Sequence, residues 1–281
     1  MQLELAGRHP LLRHDLALHP EAPGRLVLNA RRLLFASPLD LAASAAAAHI
    51  HAHAGRDITL LLPDAPDVAS YLQRMDLPKA LPSGSYIDGD HPAGTRYDRS
   101  DILLEVTSLT PGTADAIGER LARVAISHLG SRDGRRVFRG LGELIDNAIS
   151  HGASTCGAFI AAQAYTGKTT GHRRLEIAVC DTGVGVLAHL RRNRAHSHIT
   201  TSAHALRHAL EPGVSGTDEH RGNGLPDLLA GTRNAATRLV LRSGDGFLRA
   251  SRVHRTEVAL PARTTTPVQG TWSWLRVSYR P

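Results

Sequence analysis

The chain has 281 residues, of which 42% are hydrophobic, 21% charged and only 4% aromatic, the profile of a water-soluble globular protein with an aliphatic core. Two cysteines, Cys156 and Cys180, cannot build a disulfide framework, and neither a signal-peptide start nor an apolar run of the ~20 residues that span a bilayer is present, so the expectation is a cytoplasmic protein with no membrane partner. Net charge is +7, nearly all from scattered arginines, since Lys79 and Lys168 are the only lysines; without a basic tail or interleaved aromatics this argues against nucleic-acid binding.

In chain order, residues 25–30 read as a strand and 38–54 as an alanine-rich helix opened by the Ser37-Pro38 start signal. A second buried strand, 57–62, stops at Pro63, and 65–75 forms a helix closing on the sheet with Val68, Tyr71 and Leu72. Residues 82–100 lack apolar periodicity and are dense in turn formers, which marks a linker. We therefore expect two domains, 1–90 and 91–281. After the linker come a strand at 102–106, helices at 113–129 and 135–151, and strands at 155–165 and 174–180. A long His- and Arg-rich stretch, 187–221, precedes a short helix at 225–232 and strands at 236–242, 246–253, 256–260 and 270–278. The expected class is α+β, a mixed sheet with a helical layer behind a small α/β domain.

Three motifs carry chemistry. Gly142-Glu143-Leu144-Ile145-Asp146-Asn147-Ala148-Ile149-Ser150-His151-Gly152 lies on a helix and sets Glu143 and Asn147 one turn apart on one face. A carboxylate and an amide oxygen there suit a hard cation and a water to be activated. Ala178-Val179-Cys180-Asp181-Thr182-Gly183-Val184-Gly185-Val186 ends a strand on an acceptor-only carboxylate, followed by glycines that let a ligand approach the backbone. Arg221-Gly222-Asn223-Gly224-Leu225-Pro226-Asp227 puts glycines before a helix start, where unpaired N–H groups cradle anions.

In this order and spacing the three resemble the N, G1 and G2 boxes of the GHKL ATPase superfamily, whose ATP site is the Bergerat fold, and Gly270-Thr271 looks like its fourth element. The resemblance covers about residues 110–278. It implies ATP and Mg²⁺ as cofactors, with Asn147 ligating Mg²⁺ and Glu143 as the general base. It implies that Asp181 reads the adenine amino group, that Gly183 and Gly185 make room for the base, and that Thr271 sits on the adenine side. Gly222, Asn223, Gly224 and Leu225 would wrap the phosphates, His151 would contact phosphate, and 187–221 would be the ATP lid with its arginines (Arg191, Arg192, Arg194, Arg207, Arg221).

The Glu-x-x-x-Asn-Ala-x-x-His-Gly form looks most like the anti-sigma-factor serine kinases and related histidine-kinase-like domains. The phosphoacceptor hairpin of sensor kinases is missing, since the first helix holds only His128. The N-terminal portion resembles a STAS domain, the fold of anti-sigma-factor antagonists, through 25–29, 33–41 and 55–63. Pro38 and Leu39 stand where antagonists carry their serines, which implies docking or dimerisation rather than a phospho-switch. The function implied is a Mg-dependent serine/threonine protein kinase or regulatory ATPase in signalling, partnered by a sigma factor or STAS-type antagonist and able to form a homodimer. The alternative is a non-catalytic module in which ATP gates a protein partner. His49/His53 and His204/His208 have i, i+4 spacing but no third ligand in sequence, Cys156 and Cys180 read as small buried hydrophobes, and Trp272 and Trp274 alternate onto one strand face.

Overall fold

The structure, a computed structural model, describes residues 1–16, 18–19, 24–90, 98–150, 156–167, 171, 173–214, 229, 235–253, 256–259 and 263–279. Its elements run β1 (Gln2–Glu4), β2 (Gly7–Arg8), β3 (Leu18–His19), β4 (Arg25–Asn29), β5 (Leu33–Phe35), α1 (Pro38–His53), β6 (Asp57–Leu61), α2 (Pro66–Arg74), α3 (Leu77–Ala80) and β7 (Tyr86–Asp88). Then follow β8 (Leu103–Leu109), α4 (Pro111–Leu129), α5 (Ser131–Ser150), β9 (Ala158–Tyr165), β10 (Arg173–Asp181), α6 (Gly185–Leu190), α7 (Ser202–His208), β11 (Ala235–Val253), β12 (Thr256–Ala259) and β13 (Arg263–Tyr279). The architecture is mixed α+β. A five-stranded sheet has the order β3-β1-β4-β6-β7, a six-stranded sheet the order β12-β11-β13-β10-β9-β8, and β2 pairs with β5. In the first sheet β1, β4, β6 and β7 run parallel; the second is antiparallel throughout.

Helix α1 starts where the Ser37-Pro38 signal predicts. Ser37 Oγ accepts from the Asp40 N–H at 3.3 Å while Asp40 Oδ2 accepts from the Ser37 N–H at 2.6 Å, a reciprocal capping box. From Leu39 to Ala48 the helix is buried on every side. The reason is its place: α1 packs on β9, β10 and β13 of the six-stranded sheet and also on β4 and β6 of the five-stranded one. Alanines let two sheets approach a shared helix closely, and a helix without a polar stripe has no face for water. Tyr71 of α2 likewise reaches past its own sheet, donating to Gln163 Oε1 of β9 at 2.5 Å.

Helices α4 and α5 cover the opposite face of the six-stranded sheet. Thr110 caps α4 reciprocally with Thr113, and Pro111 occupies the first turn. On α5, Leu141, Leu144, Ile145 and Ala148 are buried, whereas Asp146 and Asn147 are exposed. Strand β10 serves both faces. Gln163, opposite Glu176 in register, is bonded by Tyr71 of α2, so Glu176 and Cys180 lie on that face and the alternate residues Leu175, Ile177, Val179 and Asp181 on the other. Trp272 and Trp274, opposite Cys180 and Ala178 in register, are both buried on the α1 side.

Three differences from the sequence reading have local causes. The expected strands 236–242 and 246–253 are one strand, β11, because Ser243–Gly246 is absorbed as register shifts against β13 rather than as a turn. The expected linker at 82–100 contains β7, which pairs with β6, and residues 91–97 lie outside the described ones. The short strands β1, β2, β5 and β7 carry too few residues for a period to be read.

Among the described residues one contiguous apolar core runs through both sheets, with a small separate cluster of Leu190, Ile199 and Ala205. The N-terminal segment is tied to β11 by Arg242, a fully buried guanidinium. It donates to the carbonyls of Leu11 (3.3 Å), Arg13 and His14 (3.1 Å), and lies 4.7 Å from the centroid of the Phe247 ring. Burial lowers its pKa to about 10, which leaves it charged. Among the described residues no helix is long and apolar enough to cross a membrane.

Candidate functional site

Strand β10 ends at Asp181, where the chain turns through Thr182-Gly183-Val184 into α6. The Asp181 side chain is 9% exposed. Its Oδ1 accepts from the Gly183 N–H at 2.9 Å and from the Thr271 N–H of the neighbouring β13 at 3.2 Å; Oδ2 takes neither bond. Burial pushes its pKa up to about 6, against the pull of these hydrogen bonds. A carboxylate so placed is ionised at neutral pH, with both backbone bonds on Oδ1 and the Thr271 side chain as a further hydrogen-bonding neighbour.

Two glycines shape the floor. Gly270 has φ +77° and lies against Asp181, so that an added Cβ would fall on the Asp181 carbonyl oxygen. Gly185 has φ +78°, and its Cβ would stand 2.7 Å from Ser243 Oγ and 3.2 Å from the Gly270 carbonyl oxygen. Gly270 excludes any other residue on conformation and on space, whereas a Cβ at Gly185 would be strained and would have to displace the Ser243 hydroxyl.

Ser243 holds this floor together and was not foreseen from sequence. Its buried Oγ accepts from the Val186 N–H at 2.8 Å, donates to the Gly270 carbonyl at 2.9 Å and lies 3.4 Å from Thr271 Oγ1. Gln269 Nε2 adds a bond to the Thr182 carbonyl at 2.8 Å, and Thr182 Oγ1 donates to the Gly157 carbonyl at 2.7 Å. The available signal was the register that sets Ser243 opposite Thr271.

Of the residues expected at the site, Asp181, Gly183, Gly185 and Thr271 come together although Thr271 is 90 positions away from Asp181. Glu143 (half-buried) and Asn147 (exposed) lie on α5, which packs on β10. His151, Gly222, Asn223, Gly224 and Leu225 lie outside the described residues, as do Arg221 and all but Leu229 of the expected helix 225–232. The expected lid is structured from 187 to 214. It contains most of α6, a 3-10 turn at Arg194–His196 and α7 around its own apolar cluster, with α7 packed on β11. Arg191, Arg192, Arg194 and Arg207 are exposed.

The two histidine pairs have other contacts. His49 Nε2 is 3.0 Å from the Ala80 carbonyl, and its ring lies against Phe159. His208 lies 3.2 Å from His196 and 2.8 Å from Glu211. Among the described residues no group of three or more His, Cys, Asp or Glu is arranged to hold a metal ion.

No protein-family model and no curated protein matches the chain. Among solved structures it has a weak, partial likeness to the B-subunit of the DNA gyrase from Myxococcus xanthus, with a TM-score of 0.20 and 16% identity. That likeness covers 40% of this chain and 29% of that one, and a match of this size decides neither family nor chemistry.

Proposed function

We propose that the chain binds ATP with Mg²⁺ at the Asp181 floor and acts in signalling, as a serine/threonine protein kinase of the anti-sigma-factor type or a regulatory ATPase. The observation that carries this reading is the Asp181 carboxylate. It is buried at a strand end, with both backbone hydrogen bonds on Oδ1 and the Thr271 side chain beside it, on a floor packed tightly against two glycines. The exocyclic amino group of adenine would supply a donor for Oδ2.

The remaining donor set fits a nucleotide and its metal. Asn147 offers a hard amide oxygen on an exposed helix face, the kind of single protein ligand that Mg²⁺ takes when phosphates supply others. Bound Mg²⁺ would neutralise charge on the transferred phosphoryl group. Glu143, one helical turn before Asn147, would accept the proton of a substrate hydroxyl or of water. The ordered motifs support this assignment, with Gly222, Asn223, Gly224, Leu225 and His151 proposed as phosphate contacts. Segment 1–90 would serve as a STAS-like docking or dimerisation unit for a sigma factor or antagonist partner. Ser37 is buried and hydrogen-bonded to Asp40, which fits docking better than phosphorylation.

One observation favours the second reading, a non-catalytic module gated by ATP. Ser243 links the floor directly to the first turn of α6, so filling the floor would be felt by the segment that follows. Following the γ-phosphate of labelled Mg-ATP separates the two. The kinase or ATPase reading predicts label on a protein or in free phosphate with the wild type and its loss in Glu143→Ala. Equal and negligible transfer by both proteins, with ATP bound by both, would leave only the gated module.

A further inference from the structure

We infer that His196, His198, His204 and His208 form a zinc-binding site that clasps the segment around the Arg194–His196 turn to α7. Local packing brings them together. Ile199 and Ala205 are fully buried in the small apolar cluster with Leu190, so the chain before α7 folds onto the helix. Asn193 Oδ1 accepts from the Ala195 N–H at 2.9 Å and Thr201 Oγ1 from the His204 N–H at 3.2 Å, which fixes where each short element begins. In sequence His204 and His208 are only a pair at helical spacing. The fold adds His196 and His198 to them from the chain before the helix.

His208 carries the geometry. Its Nδ1 lies 2.8 Å from Glu211 Oε2 and its Nε2 3.2 Å from His196 Nδ1. A carboxylate only accepts, so Nδ1 donates and Nε2 is the lone-pair nitrogen of the neutral ring. This is the carboxylate–histidine arrangement that orients metal-bound imidazoles. His198 is set in the same way. Its Nδ1 is 3.1 Å from the Ala195 carbonyl, which also only accepts, so its Nε2 is the nitrogen left for a metal. The 3.2 Å between His196 Nδ1 and His208 Nε2 is close to the roughly 3.3 Å that separates two nitrogens bound at about 2.0–2.1 Å to a tetrahedral zinc. A zinc ion would replace that hydrogen bond, with His196 in its other tautomer.

The ring positions agree. The His196 and His208 centroids are 4.9 Å apart, and His198, His204 and His208 stand at the corners of a nearly equilateral triangle with sides of 6.1, 6.1 and 6.3 Å. Imidazoles sharing one tetrahedral zinc have ring centres roughly 5 Å apart. No three ligands are preset among the described residues; the preset part is the His196–His208 pair with its carboxylate. His198 and His204 are exposed, and exposed side chains reorient within nanoseconds, so a shift of about 1 Å closes the set. Nitrogen donors of this kind select zinc over magnesium. Arg194 and Arg207, exposed in the same segment, oppose a cation held by charge alone. The site uses none of the residues of the Asp181 floor and does not depend on the nucleotide reading.

Calorimetric titration of the full, untagged chain with zinc chloride, alone and with magnesium chloride in about hundredfold excess, tests this. The expected result is saturable 1:1 zinc binding that magnesium does not displace. His198→Ala/His204→Ala, at exposed positions that leave the fold intact, should weaken zinc by about tenfold or more. Glu211→Ala, which removes only the carboxylate behind His208, should weaken it by about tenfold at unchanged stoichiometry. His53→Ala, in the other histidine pair at helical spacing, should change nothing. His208→Ala should abolish saturable binding; should it fail to fold, the exposed variants decide the matter. Absence of saturable zinc binding, displacement by magnesium, wild-type affinity in the double variant or in Glu211→Ala, or loss of binding in His53→Ala would overturn the assignment.

Discussion

Two aspartates, Asp40 and Asp181, are buried on opposite sides of the six-stranded sheet, and burial pushes the pKa of each up to about 6. Their surroundings differ in how much the chain itself supplies. Asp40 takes the Ser37 N–H at 2.6 Å, the Ser37 hydroxyl at 2.7 Å and the Leu11 N–H at 2.7 Å, on both of its oxygens. Asp181 receives two backbone N–H bonds, both on Oδ1, with the Thr271 side chain as a further hydrogen-bonding neighbour. Two buried acids thus differ in that one is bonded by the chain on both oxygens and the other takes its backbone bonds on Oδ1 alone.

The largest effect should come from the satisfied member. Asp40→Ala removes the α1 cap and strands the Leu11 N–H, and should cost about 3 kcal/mol in chemical denaturation. Nucleotide binding should persist where the variant is folded. Asp181→Asn should do the reverse. Loss of a charged hydrogen bond to adenine predicts ATP affinity lower by about 1.5–3 kcal/mol, read by calorimetry, with the melting temperature unchanged or raised. If both substitutions acted alike, the contrast between the two acids would be wrong.

Acidity sharpens the same contrast. Both acids have folded pKa values above their unfolded ones, so the folded state holds more protons between pH 4 and 6. From these two groups, stability therefore declines as pH rises through that window and levels off above it. His9, whose pKa is lowered to about 4 by burial and neighbouring arginines, acts in the opposite sense. The proposed adenine contact needs ionised Asp181, so under that reading ATP affinity should fall about tenfold from pH 7 to pH 5. Asp181→Asn should lack this dependence. The smallest effect expected is from Gly185→Ala, about 1 kcal/mol of stability for the left-handed backbone, with weaker ATP binding as Ser243 is pushed aside.

Local signals were legible in sequence where local chemistry decides the structure. Ser37-Pro38 opens α1 where expected, and α4 and α5 fall close to the expected 113–129 and 135–151, beginning at Pro111 and Ser131. Asp181 with Gly183 and Gly185 was visible because a strand ending in Asp-x-Gly-x-Gly is a local pattern, and Thr271 through its place after Gly270. Long-range pairing was not legible. Ser243 gains its role only from lying opposite Thr271, and the Ser243–Gly246 run reads as a turn until β13 holds it in a bulged strand. Arg242 reads as a strand-end charge, yet it is buried because the carbonyls of Leu11, Arg13 and His14 converge on it. The alanines of α1 declare a buried helix but not which sheets bury it.

The most direct test of the account is the affinity of the wild type and of Asp181→Asn for Mg-ATP and for Mg-ITP, in which the adenine amino group is replaced by a carbonyl oxygen. The account predicts that the wild type prefers ATP by about tenfold or more and that the substitution largely removes this preference. No binding of ATP by the wild type, or equal affinity for the two nucleotides, would contradict Asp181 as the adenine-reading acid.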